Sequence, residues 1–231
     1  MREIGRIRDA YRRRAERAAD GRYEATSPAN RYLYARRDEE VLALLRRHRL
    51  LPLAGRRIID VGCGSGGVLR DFVRWGADAS RACGVDLLPD RVASAHESLA
   101  GATFVAGDAA SLPWRDGTFD VALQFTLLTS VLDNGLRRRI AAATMRVLRP
   151  GGTLVWYDFT WNPGNRDTRG IGLGELRALY DGCAVDARRV TLAPPIMRRL
   201  APRSMSVCRA LVAVLLLRSH LLAAITKPLK P

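Results

Sequence analysis

The run Ile58-Ile59-Asp60-Val61-Gly62-Cys63-Gly64-Ser65-Gly66-Gly67 sets an apolar segment against a turn of small residues. It reads as a buried strand that enters a tight turn and leaves as a helix. Glycine suits such a turn because it reaches left-handed backbone angles and lets a ligand come close to the amides. Gly62, Gly64 and Gly67 also fit the spacing GxGxxG, so the run alone leaves a dinucleotide site open. Three carboxylates bear on that choice. Asp60 stands two residues before the first glycine, where it is unwelcome beside a pyrophosphate and suits a ligand with ammonium and sulfonium charges. Asp86 ends the next expected strand, 20 residues after Gly66, and could accept hydrogen bonds from both hydroxyls of a ribose. Asp108, in Gly107-Asp108-Ala109, follows the third expected strand beside the place an adenine would take. All three fall at strand carboxyl ends, where open α/β sheets bind their ligands.

The elements that must hold these residues alternate. Short β-rich runs at 57–61, 82–87, 102–106, 119–125 and 153–159 are separated by helix-length segments at 67–75, 89–99 and 135–148. Such alternation implies βαβ units and a parallel sheet covered on both faces. Two later runs, 184–192 and 220–226, bracket a helical stretch over 204–217 that should face the core. Upstream, Ile4, Ile7, Tyr11, Ala15 and Ala18 form the stripe of an amphipathic helix over 2–19. Residues 20–37, with Pro28 and several tyrosines, read as a loop, and a second helix is expected from an Asp38 N-cap to Leu51, stopped by Pro52. Residues 1–55 thus form an N-terminal helical cap or lid, and 56–231 the binding core.

With 231 residues, 48% hydrophobic and 26% charged, the chain can bury one full core and does not have the composition of a disordered tail. Its four cysteines and three histidines are scattered, so no metal site or disulfide framework is expected. The longest late apolar run, 210–217, has eight residues, far short of the ~20 that span a bilayer. The first twenty residues lack an apolar signal core and carry four acids. A cytoplasmic protein is expected, with work at a membrane surface left open. The net charge of +15 divides into +8 over 1–57, −5 over 58–136 and +12 over 137–231. The acidic middle suits a cationic cofactor better than NAD or ATP, and the basic flanks ask for an anionic partner or a solvated surface.

Four ordered stretches, DVGCGSGG at 60–67, GVDLLPDRV at 84–92, GDAASLPWRDGTFDVAL at 107–123 and LRPGGTLVWYD at 148–158, resemble the class I S-adenosylmethionine-dependent methyltransferases. The resemblance covers roughly residues 57–160. It implies a Rossmann-like three-layer α/β sandwich whose seven-stranded, mostly parallel sheet has an antiparallel last strand. It also implies a cofactor, S-adenosylmethionine, with S-adenosylhomocysteine as product. Gly62, Gly64 and Gly66 would line the methionine moiety, with Asp60 on its amino group. Asp86 would bind the ribose, Leu87 would lie against the adenine, Asp108 and Ala109 would meet its edge, and Gln124 would sit near the cofactor.

No catalytic residue stands out. Asp133 and Asp158 are the best-placed carboxylates, and both read as structural acids; His96 reads as surface. Exocyclic-amine methyltransferases of nucleic acid resemble one another in an Asn/Asp-Pro-Pro-aromatic tetrapeptide, and Gln124-Phe125-Thr126-Leu127 stands in its place. The loop over 160–170, with Trp161, Arg166 and Arg169, suits a polar or anionic acceptor. The expected function is methylation, by O-methylation in a biosynthetic pathway, of a polar small molecule or saccharide, with an anionic or lipid-linked acceptor included. RNA or protein methylation, and a cofactor-binding partner protein without turnover, are the alternatives. S-adenosylhomocysteine should raise the melting temperature and NAD should not. At a hundredfold excess over its dissociation constant, binding adds ~2.7 kcal/mol, which differential scanning calorimetry would register.

Overall fold

Ile58 and Ile59 are neighbours on β1 (Ile58–Val61), yet each joins a different hydrophobic layer. Successive side chains on a strand point to opposite faces, so an uninterrupted apolar run means a strand buried on both sides. β1 lies inside a seven-stranded sheet with β2 (Ala82–Asp86), β3 (Thr103–Ala106), β4 (Phe119–Phe125), β5 (Leu148–Phe159), β6 (Ala184–Leu192) and β7 (Arg218–Thr226). The order is β3-β2-β1-β4-β5-β7-β6. β1 to β5 pair in parallel, and β7 runs antiparallel to both of its neighbours. This is the expected Rossmann-like sandwich. The structure, a computed structural model, describes residues 2–17, 27–162 and 165–229.

One face is covered by α2 (Pro28–Arg47), α3 (Gly67–Arg74) and α4 (Pro89–Ser98), whose Leu44, Leu45, Phe72 and Ala95 pack with Ile58, Val121, Leu123 and Val155. The other is covered by α5 (Asn134–Val147), α6 (Leu173–Leu179) and the Ile7 side of α1 (Arg2–Arg17), over Ile59, Trp156 and Ile225. Helix α2 is therefore part of the sandwich, with Val41, Leu44 and Leu45 fully buried, whereas α1 lies over one end of the sheet.

Several expectations are corrected. Residues 28–37, expected as loop, are the first half of α2: Ser27 caps it by accepting from the Asn30 amide at 3.2 Å. Pro28 reads as a turn signal but is equally suited to a helix's first position, where no amide hydrogen is required. Asp38 is thus mid-helix, bound to Arg37 and Arg74, and α2 ends at Arg47 instead of Leu51. The remainder of that expected loop, 20–26, lies outside the described residues, as does the expected continuation of α1 beyond Arg17. β5 begins at Leu148 because Leu148 pairs with Phe119 across a register break before Thr153 takes up Val121. Helix α6 and a further helix, α7 (Pro194–Leu200), were not anticipated. The 204–217 stretch is not one core-facing helix. It is α8 (Met205–Leu211), which buries Cys208, followed by a separate turn of 3-10 helix at 215–217. Its apolar residues occur on every side, so they define no single buried stripe.

One charged side chain fixes the loops at the carboxyl end of the sheet. Arg137, on α5, is fully buried. It donates to the carbonyls of Val131 (2.6 Å) and Arg169 (3.1 Å) and pairs with Glu175 at 2.6 Å. Those partners follow β4, follow β5 and sit on α6, so a single guanidinium ties three segments together. Removing one partner of a buried ion pair is costly because the remaining polar groups stay desolvated. Arg137→Ala should cost about 3 kcal/mol, at the low end for such pairs because Glu175 is partly exposed. The exposed neighbouring change Arg138→Ala should stay within about 0.5 kcal/mol. Urea denaturation of the two variants measures the difference.

Candidate functional site: a cleft at the sheet's switch point

From β1 the chain crosses to β2 on one side of the sheet, whereas β4 leads to β5 on the other. The connections diverge there and leave a crevice at the carboxyl ends, the general ligand position of such sheets. An open cleft of about 730 Å3 occupies it. Five of the expected residues line it: Gly62, Asp86, Leu87, Asp108 and Ala109.

Gly62 has φ +81°, and a Cβ there would lie 2.7 Å from Leu127 Cδ1, so both backbone and space require glycine. Its amide and that of Cys63 donate to the Val85 carbonyl at 2.8 and 3.0 Å, binding the turn to the end of β2. Asp86 accepts from the amides of Gly64 (2.9 Å) and Leu88 (3.0 Å). That leaves each carboxylate oxygen with a further lone pair. Asp108 accepts from the Ala110 amide at 2.8 Å. Gly64 and Gly66 are not on the cleft wall: Gly64 anchors Asp86, and Gly66 gives room to Ala95, Ser98 and Phe104.

Asp60 lies on β1 below the glycine turn, fully buried, with neither oxygen hydrogen-bonded. Burial, aided by the negative charge of Asp86, pushes its pKa up to about 8. An orphaned buried carboxylate is expensive, and a cationic N–H donor is the group that would relieve it. This set of acceptors therefore fits a ligand with an ammonium group and a ribose.

Gln124 is a correction. Its side chain is buried away from the cleft, donating to the Thr144 hydroxyl (2.8 Å) and accepting from the Tyr180 hydroxyl (2.7 Å). Asp158 and Asp133 are also turned to structural use. Asp158, pushed up to about 7 by burial, accepts from the hydroxyl (2.6 Å) and amide (3.1 Å) of Thr129. That fixes the 128–130 turn, whose Ser130 lines the cleft. Asp133 caps α5. His96 is exposed and contacts the Phe104 carbonyl at 3.1 Å. No side chain among these faces the cleft as a base. Arg169 is not free for an anionic acceptor, since it pairs with Glu175 (2.7 Å) and donates to Asn134 (2.6 Å). Arg166 is exposed, and 163–164 of the same loop lie outside the described residues.

The sequence marked 1–55 as a helical cap or lid but did not say which of its residues would meet the cleft. Ile4, Ile7 and Tyr11 of α1 close one side of the cleft, opposite Leu127, Val131, Leu136 and Ile140. The Tyr11 ring has the Arg91 guanidinium 4.5 Å and the Arg14 guanidinium 4.7 Å from its centre, a cation–π arrangement. The helix is fastened by Glu3, which accepts from the Leu132 amide (2.6 Å), by Arg6 on the Ser130 carbonyl (2.6 Å), and by Arg13 on Asp167 (3.0 Å). The hydrogen bond from Arg6 holds the Glu3 carboxyl below its ordinary range. The stripe of α1 and a capping role were legible, but the polar contacts that seat it over this cleft were not.

The fold is the Rossmann-like α/β fold of S-adenosylmethionine-dependent methyltransferases, with the cleft at the carboxyl ends of its strands. Residues 58–152 match the family described as methyltransferase domain. The chain is 36% identical over 115 residues to a phthiotriol/phenolphthiotriol dimycocerosates methyltransferase 1 of Mycobacterium ulcerans, covering 47% of this chain and 39% of that one. It is 33% identical over 108 residues to the sterol 4-C-methyltransferase strm-1 of Caenorhabditis elegans, covering 43% of this chain and 30% of that one. The chain thus spans well under half the length of these curated relatives. In fold it is similar to phosphoethanolamine N-methyltransferase 2 of Haemonchus contortus in complex with S-adenosyl-L-methionine. That match has a TM-score of 0.60 and 20% identity, over 82% of this chain and 52% of the other.

The raised pKa of Asp60 gives a signed expectation for the ligand-free protein. An unfolded aspartate ionises near ~3.9 and the folded one near about 8. The folded state therefore loses stability as pH rises through that window and no further above it. Thermal melts across pH should show this loss in the wild type. In Asp60→Asn the slope should flatten, and the ligand-free protein should be more stable at neutral pH.

Proposed function

We propose that the chain transfers a methyl group from S-adenosylmethionine to a hydroxyl-bearing polar head carried on an apolar body. The cofactor part of this reading rests on the Asp86 and Asp108 acceptors of the cleft wall and on the orphaned carboxylate of Asp60, buried behind that wall. In it, Asp60 receives the ammonium group, and the Gly62–Gly64 turn lies against the methionine moiety. Asp86 accepts from the ribose hydroxyls, Leu87 packs on the adenine, and Asp108 with Ala109 meets its edge. Gly66 acts indirectly, by letting α4 approach the turn. When bound, S-adenosylmethionine supplies an electrophilic methyl on a sulfonium. The chain's own residues orient and exclude water: α1 roofs the cleft, and the segment that Asp158 and Arg137 hold in place forms the facing wall. Positioning of this kind is a large source of rate in displacement reactions.

The acceptor part keeps the oxygen acceptor expected from the sequence and replaces the freely soluble saccharide with an amphipathic molecule. The cleft wall beyond the acidic positions is apolar, formed by Ile4, Ile7, Leu127, Val131, Leu136 and Ile140, and Arg169 is already paired. The names of the curated relatives, which refer to dimycocerosates and a sterol, support the same class. Incubation with methyl-labelled S-adenosylmethionine and separate lipid and aqueous extracts of the source organism tests it. Label should enter the lipid fraction; label confined to the aqueous fraction would restore the saccharide.

Cofactor binding should carry a proton signature. An ammonium favours ionised Asp60, so affinity for S-adenosylhomocysteine should rise with pH towards about 8, with proton release on binding. Calorimetry in buffers of different ionisation enthalpy measures that release. Asp60→Asn should abolish it and weaken binding, and Asp86→Ala should weaken binding by one to two decades, the value of a hydrogen bond to a charged group at ~1.5–3 kcal/mol.

A further inference from the structure

Elsewhere in the protein exposed arginines are commonly paired with carboxylates, as Arg13 is with Asp167 and Arg149 with Asp120. The end of the chain breaks that pattern. Residues 187–231 contain nine basic residues and no acidic one. Arg199, Arg203 and Arg209, on and beside α7 and α8, are exposed, and no ion pair among the described residues involves them. On the same segment the turn at 215–217 presents Leu215 at 61% and Leu216 at 88% exposure. Trp161, 69% exposed, joins them. Its neighbour Thr160 donates its amide to the Ser219 carbonyl at 2.7 Å, and the leucine turn runs directly into β7 at Arg218. Because β7 is antiparallel to β5, with His220 opposite Phe159, this apolar point stands at the carboxyl end of β5. That is the end of the sheet on which the cleft opens.

We propose that Trp161, Leu215 and Leu216, with Arg199, Arg203 and Arg209, form a docking surface for an anionic lipid bilayer. Leucine and tryptophan side chains gain by entering the headgroup–acyl boundary, and uncompensated arginines gain from a negative surface potential. Charge complementarity selects this occupant over a second copy of the chain. A twofold interface sets the same patch against itself, which would bring unpaired arginines together with no carboxylate on the segment to separate them. The inference goes beyond the acceptor reading and does not depend on it: a protein that docks here could still methylate a soluble molecule.

Co-sedimentation of the full chain with vesicles tests it, using phosphatidylcholine alone and phosphatidylcholine mixed with phosphatidylglycerol. Binding is expected to the mixed vesicles and to be weak on the neutral ones. Arg199→Gln, Arg203→Gln and Arg209→Gln should each weaken it about fivefold, and the Leu215→Ser/Leu216→Ser pair should reduce it at least tenfold. All these residues are exposed, and S-adenosylhomocysteine affinity should be unchanged in every variant. On adding mixed vesicles the tryptophan emission should shift to shorter wavelength, and Trp161→Phe should lose that shift without touching either helix. Equal binding to both vesicle types, or none to either, would overturn the proposal. So would a dimer in solution that Leu215→Ser/Leu216→Ser dissociates while vesicles stay unbound, which would make this face a self-association surface.

Discussion

A parallel sheet must cross from one strand to the next through helices, and those helices cover both of its faces. In this chain the consequence is that Ile58, Val61, Val121, Leu123, Val155 and Trp156 are all spent on packing. Chemistry is confined to the ends. Of the two ends, only the carboxyl end has a place where adjacent strands send their connections in opposite directions, between β1 and β4. The position of the cleft follows from that single topological fact, and Gly62, Asp86 and Asp108 line it.

Asp60 shows how binding and stability oppose each other at such a site. It occupies a position on β1 where an apolar residue would pack at no electrostatic cost, and it has no hydrogen-bond partner. Its raised pKa is the measure of that cost. Asp86 differs because two backbone amides fix it and solvent reaches it. Two carboxylates near one turn thus differ: one is held by two backbone amides, and the other is buried without a hydrogen-bond partner.

The wall facing α1 is organised by charge as well, but of a more ordinary kind. Arg137 and Asp158 are both buried, and both act on backbone groups of the 128–131 segment. Glu3 and Arg6 reach the same segment from α1. The roof and the wall it meets are therefore positioned by one connected set of polar contacts, and the apolar side chains between them shape the space an acceptor would enter. The same end of the sheet carries the exposed Trp161 and the leucine turn before β7, so cleft mouth and apolar point share one side of the molecule.

The sequence by itself determined the βαβ alternation, the glycine turn and the acidic residues at three strand ends, because each is a local pattern: short continuous apolar runs between helix-length segments, backbone freedom, and a carboxylate a fixed distance from a turn. Strand β4 and strand β6 were legible to the residue. Only tertiary structure could decide which way a side chain on a known strand would face and what would meet it. Gln124 was placed on the right strand and assigned to the wrong neighbours, since Thr144 and Tyr180 come from helices whose docking is not a local property. Arg169 looked available until Glu175 and Asn134 were brought to it. The amphipathic stripe of α1 was readable, but its destination over the cleft depends on Glu3 and Arg6 finding backbone partners near residue 130. In the 210–217 run, hydrophobicity alone suggested burial, and it is the separate 3-10 turn between α8 and β7 that leaves Leu215 and Leu216 in solvent. Spacing along a chain fixes what a segment can become, whereas which groups it satisfies is set by the partners that folding brings within a few ångströms.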